Sequence, residues 1–273
     1  MKEGFHMTKR TSLFARIALA ITLVFTAAAT ALRAYLMQNA YDFTNGFYTD
    51  DKLHSILRYS LIVFAVLAFT MAYIYIKERK SSNGLPETKV VTYVSFIPMC
   101  AFAGFLIYTF AKMLGYNRPG AATLVMCLFS IVAFFYFLTF TKKGNLGDSR
   151  AVLCSGSALV LLALVFGLYF NTSISYVNHS VILCYATCIF LMLSIVAEAN
   201  GLLGRPHIRR YLACVPTAIV LSFTTSIPNI IYSITQGGAP ITDFYYDIII
   251  LALGVFQLAR LIAVCMTKPA EEV

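Results

Sequence analysis

The sequence predicts an all-α protein, a polytopic transmembrane helix bundle of about eight spans with both termini in the cytoplasm. Three observations predict it. Of 273 residues, 59% are hydrophobic and only 12% charged, against about 45–50% and about 25% in ordinary soluble domains. Mean hydropathy is +0.77, and uncharged apolar runs long enough to cross a bilayer recur along the whole chain. The basic residues sit in short segments between these runs, and no tract is left for a separate soluble domain. Residues 1–273 therefore read as a single integral membrane domain.

The spans follow in order. A short basic head carries Lys2, Lys9 and Arg10. The first span, residues 13–36, contains the apolar run Ile17 to Leu32 between Arg16 and Arg33, and both arginines are expected to snorkel to the interfaces. Its alanine-rich end holds A-x-A patterns of the kind a signal peptidase cuts. The run nevertheless reaches or exceeds the ~15-residue ceiling of a signal-peptide core, so the helix is expected to be retained. Spans at residues 56–76, 90–112 and 121–140 come next. The uncharged run Ala151 to Ala197 is too long for one helix, and the polar segment Asn171 to Ser180 divides it into spans 151–170 and 181–199. Spans 211–234 and 245–266 complete the set. The basic loop Thr141 to Arg150 leaves four spans on each side, so any duplication would be parallel rather than inverted.

Charge then orients the chain. Sixteen of the twenty-one Lys and Arg fall on the side of the N-terminal head, and five (Arg33, Lys52, Arg58, Lys112 and Arg118) on the other. The positive-inside rule puts both termini in the cytoplasm of a cell whose plasma membrane holds the protein. The net charge of +9 is thus accounted for by topology, and nucleic acid is excluded as a partner.

The stretch Leu221 to Ser233, L-S-F-T-T-S-I-P-N-I-I-Y-S, breaks the apolar pattern of the seventh span. Ser222, Thr225, Ser226, Asn229 and Ser233 share one helical face, extended by Ala218. Pro228 interrupts the hydrogen-bond ladder beside them. Such a stripe needs partners that lipid does not provide, so the other spans are expected to pack around it. It reads either as a close-packing seam of small residues or as the wall of a solute or ion pathway, where broken helices expose coordinating backbone groups.

Helix dipoles rank the charges at the membrane edge. Arg33 and Lys112 near outer C-terminal ends, and Asp243 and Asp247 near the outer N-terminal end of the last span, are favourably placed. Arg58, at an outer N-terminal end, and Glu198, at an inner C-terminal end, are not, and each calls for a partner. Asp50, Asp51 and Asp247 are at the depth of Arg58. Arg260 is the best match for Glu198, with Arg205, Arg209 and Arg210 as alternatives. An ionisable group inside a membrane is a functional hypothesis by default, although structural ion pairs would explain both residues.

No catalytic, cofactor or metal pattern is present. The histidines His6, His54, His179 and His207 are scattered, there is no H-E-x-x-H, and no G-x-S-x-G elbow occurs. Asp42, Asp50 and Asp51 lie in one tyrosine-rich outer loop, but their spacing matches no calcium loop and a plain interfacial cap is the better reading. The seven cysteines fall in apolar runs; Cys184 and Cys188 are one turn apart and read as small buried residues. Asn171 and Asn178 fit glycosylation sequons on the outer side. The preferred function is a non-enzymatic transporter or permease-like protein for a small solute or ion, using Ser222, Thr225, Ser226, Asn229, Glu198, Arg58, Asp247 and Arg260. The alternative is a non-catalytic membrane subunit, sensor or scaffold that binds a partner helix. Its environment in either case is the lipid bilayer.

Overall fold

The computed structural model describes residues 9–42, 47–76, 85–115, 120–141, 147–170, 178–203, 208–236 and 243–267. The fold is all-α apart from one hairpin of two-residue strands. In chain order the elements are α1 (Lys9–Asn39), β1 (Tyr41–Asp42), β2 (Phe47–Tyr48), α2 (Asp51–Tyr75), α3 (Lys89–Val94), α4 (Phe96–Leu114), α5 (Ala121–Leu138), a 3₁₀ turn (Thr139–Thr141), α6 (Gly147–Tyr169), α7 (His179–Leu202), α8 (Ile208–Gln236) and α9 (Phe244–Met266). Eight helices among the described residues are long and apolar enough to cross a membrane, with α3 and α4 forming one of them. They match the expected spans to within a few residues at each end. Most are longer, because polar residues that hydropathy assigns to loops continue the helices.

Local chemistry sets several boundaries. Asp50 caps α2 by accepting from the Leu53 backbone N–H (3.1 Å), and Asn178 caps α7 through Ser180 N–H (2.9 Å). Thr88 opens α3, and the break at Ser95 follows from Pro98, which cannot donate to the carbonyl four residues earlier and crowds it. The centre of the first outer loop (residues 43–46), residues 1–8 of the N-terminal head, Asn171 of the first sequon, and Arg205 lie outside the described residues.

Two helices form the centre. The apolar window is 78% buried in α8 and 72% in α9, but only 22% in α1 and 11% in α2. α1, α2, α7 and α9 all pack on α8, whereas α4, α5 and α6 follow one another around the far side of α9 and α7. The four-plus-four division of the sequence therefore does not produce two separate bundles. Two glycines permit close approach. A Cβ at Gly156 would lie 2.9 Å from the Ala133 backbone on α5, and one at Gly254 would lie 2.5 Å from the Ser222 Cβ on α8. The middle of the α8–α9 seam is thus packed too tightly for any larger side chain.

Candidate functional site: two buried charge clusters and a chamber

The polar stripe is enclosed, as expected, but the residue that completes it is Arg33. Arg33 is fully buried rather than snorkelling, and it reaches into α8. Its Nη1 donates to the carbonyls of Thr224 (2.7 Å) and Thr225 (2.6 Å), and its Nη2 to Asn229 Oδ1 (2.9 Å) and, at 3.4 Å, Ser180 Oγ. Pro228 explains the first of these bonds. In an intact helix the carbonyl of Thr224 would receive the N–H of residue 228, and proline has none. The guanidinium supplies the missing donor from another helix.

Asn229 then links the arginine to a carboxylate. Its Oδ1 accepts from Arg33 while its Nδ2 donates to Asp247 Oδ1 (3.0 Å), so cation, amide and anion form one chain across α1, α8 and α9. Four of the five arginine N–H donors are used, and each charge-assisted bond contributes about 1.5–3 kcal/mol. Together they offset an insertion cost of about 3 kcal/mol for an arginine at membrane depth. The fifth donor, Nε–H, has no acceptor.

The other stripe residues divide between the two readings. Ser222 turns its hydroxyl back to the Ala218 carbonyl (2.6 Å) and abuts Gly254, as a packing residue does. Thr225 shares a 2.7 Å bond with Thr187 of α7. Ser226 is fully buried with no partner for its Oγ, and Ser233 Oγ likewise has none.

The second cluster is the Glu198–Arg260 pair, which the structure forms as their depths suggest. Arg260 Nε donates to Glu198 Oε1 at 2.8 Å, Nη2 is 2.6 Å from the same oxygen, and both side chains are 1% exposed. Tyr136 also donates to that oxygen (2.8 Å), and Gln257 reaches Oε2 at 3.4 Å while accepting from Tyr211. Arg260 Nη1 holds the Pro86 carbonyl (3.1 Å), and the neighbouring Glu87 pairs with Arg150. Phe140 and Phe256 lie beside the guanidinium. This cluster sits toward the opposite membrane face, thirteen residues along α9 from Asp247, or about 20 Å at helical rise.

Arg58 corrects the expectation of a carboxylate partner. It is exposed, stacks over Tyr59 at 4.8 Å and donates to the Tyr59 hydroxyl, with no ion pair to Asp50, Asp51 or Asp247. A residue that reaches water does not require a buried counter-ion. Among the described residues no group of three His, Cys, Asp or Glu could hold a metal ion, and Asp50 serves as a helix cap.

Arg33 and Arg58 share a chamber of about 440 Å³ between α2 and α7, floored by α8. This is within the usual size of small-molecule sites, about 300–1,000 Å³. Leu57, Leu61, Leu183 and Phe190 supply much of its wall, and among the described residues no carboxylate lines it. Its upper end is closed by stacked rings: Tyr48 on His54 (4.6 Å) and His54 on His179 (4.1 Å). The hairpin that carries Tyr48 is tied to α7 by Tyr41 donating to Asn178 (3.1 Å). Three buried polar atoms along this chamber have no partner among the described residues: Arg33 Nε, His179 Nδ1 and Thr217 Oγ1. A second, apolar groove of about 520 Å³ lies along the other half of α2, from Phe64 to Tyr75, against α1 and α8. The groove and the chamber lie on different faces of α2: Phe64, Leu67, Ala68 and Met71 turn to the groove, and Leu57, Leu61, Ile62 and Ala65 to the chamber.

Sequence reasoning missed Arg33, Ser180, Thr187 and the tyrosine–glutamine shell of Glu198. For Arg33 a signal existed, since Pro228 leaves a carbonyl that needs a donor at a comparable depth. Compared with known family models, curated proteins and solved structures, the chain matches none.

Proposed function

We propose that this chain is a transporter of the permease type for a small solute or ion, with the chamber at Arg33 as its binding site. The observation that carries the reading is a fully buried arginine with a spare donor in a chamber that no carboxylate lines. A cation without carboxylate neighbours along the wall favours an anionic solute. On the opposite side the Glu198–Arg260 pair and its clamp on Pro86 act as a closed gate, while α2, the least buried helix, is the element free to move over α8. Pro216, inside α8 next to the chamber residue Thr217, gives the helix a point at which to flex. The distribution of Lys and Arg supports cytoplasmic termini in the plasma membrane, with the chamber facing outward. The reading needs no cofactor and no catalytic residue.

Water access at Thr217 tests it. With the seven native cysteines replaced and one placed at Thr217, intact cells and inverted vesicles are treated with a membrane-impermeant maleimide. Labelling from both sides is the outcome expected of a carrier that alternates. Labelling from the chamber side alone would make the protein a ligand-binding sensor, and labelling from neither would make it a scaffold. The scaffold alternative has one observation of its own. A groove of about 430 Å³ runs between α1 and α8 past Ala27, Ala31 and Ala34, and the Thr26 and Thr30 hydroxyls beside it lack partners, a surface suited to another helix.

A further inference from the structure

We infer that the ligand of the Arg33 chamber is an anionic amphiphile of the bilayer, an acidic headgroup carrying an acyl tail, which enters sideways between α2 and α7. This rests on the binding-site reading above and names its substrate class.

The shape of the chamber carries the argument. α2 and α7 each pack along α8 and approach one another where His54 and His179 stack. Below that contact Ile62 and Ile182 line the chamber while remaining 52% and 50% exposed, so its side opens where lipid tails lie. A water-soluble anion would meet an apolar side door. An amphiphile already in the membrane would pass through it tail and all.

Polarity is arranged in the same sense. The wall on α2 runs from His54 to Ala65 and on α7 from His179 to Phe190. At helical rise each is about 16 Å long, close to the ~15 Å depth of half a hydrocarbon core. Arg33, Arg58, His54 and His179 gather at one end of this length, and Leu61, Ala65, Ala186 and Phe190 occupy the rest. The free Nε–H of Arg33 and the unpartnered Nδ1 of His179 are at the headgroup end. Asp51 is the acidic group near His54 and His179, and it does not line the chamber.

The test exploits the absence of tryptophan from the sequence. Phe190→Trp in the full-length protein, reconstituted in nanodiscs of zwitterionic lipid, places a single fluorophore in the chamber wall. A brominated alkyl phosphate is titrated in as quencher. A second protein with Val66→Trp, 58% exposed on α2, reports simple partitioning into lipid. The expected result is saturable quenching at position 190 and unsaturated, shallower quenching at position 66. Arg58→Gln, a surface change that leaves the fold intact, should weaken the saturable phase about fivefold, and Ala186→Phe should abolish it by filling the wall.

Equal quenching by the neutral brominated alcohol would overturn the headgroup assignment. Displacement by inorganic phosphate alone would show a small-anion site instead and overturn the tail. No saturable phase would overturn the inference outright. Saturable, charge-dependent quenching with one-sided labelling at Thr217 would sustain this ligand class while sinking transport. Two-sided labelling without quenching would do the reverse.

Discussion

The two charge clusters use the same ingredients to opposite effect. In both, an arginine and a carboxylate are buried where each alone would be costly. At Glu198 and Arg260 they touch directly, and two tyrosines, a glutamine and a backbone carbonyl surround the pair. At Arg33 and Asp247 the side chain of Asn229 is interposed, and the arginine faces a chamber with one donor unused. Direct pairing neutralises a charge and leaves little for a ligand. Pairing at one remove stabilises the charge sufficiently to keep it buried and leaves its field available. The first arrangement suits a clasp, and the second suits the proposed binding site.

Mutations should separate the two. Arg260→Met leaves Glu198 charged and unpaired, and a loss of about 3–5 kcal/mol is expected, read as a large fall in Tm in detergent. Much of it should return in the Glu198→Leu/Arg260→Met double variant. Failure of that recovery would mean the pair has a role besides neutralisation. Arg33→Met is expected to cost less, about 2–3 kcal/mol, by stranding the Thr224 carbonyl and Asn229, and to eliminate anion binding altogether. Pro228→Ala restores an N–H to Thr224, so the two changes combined should be less harmful than their sum by about 1 kcal/mol. Strict additivity would disprove the proline–arginine link.

Gly254→Ala probes the seam between the clusters. A loss of about 1–3 kcal/mol is expected from overpacking, with partial relief in combination with Ser222→Gly, measured by thermal unfolding. The smallest effect belongs to Arg58→Gln, which should alter stability by less than about 0.5 kcal/mol while reducing affinity for the anionic probe. A large fall in Tm instead would place Arg58 with the structural charges.

Most of the fold was legible because apolar runs and the bilayer leave little choice. The pairing of Glu198 with Arg260 was also legible, since an unfavourably placed carboxylate calls for a cation and Arg260 stood at its depth. Arg33 was not. Counting the apolar run stops at Leu32, which makes Arg33 look like an edge residue. The helix in fact continues through Ala34-Tyr35-Leu36-Met37-Gln38 to Asn39 and carries the arginine well inside. Arg58 erred in the other direction, because a dipole argument assigns a cost that an exposed side chain avoids by reaching water. Ser226 and Asn229 share a helical face, yet one has a silent hydroxyl and the other joins two charges. Periodicity locates a face without revealing what stands opposite each residue.

The bond from Arg33 to the Thr224 carbonyl also has a history within each molecule's synthesis. A chain made from its N-terminus delivers α1 to the membrane long before α8 exists. During that interval the guanidinium has no helix carbonyls to meet, and reaching back to the interface is its available refuge. Only when α8 arrives, with a carbonyl its own proline cannot serve, does the arginine turn inward. Closure of that contact therefore marks late assembly. A ribosome-arrested chain ending before α8 should therefore integrate α1 equally well with Arg33→Met, whereas the finished protein should lose stability on the same change.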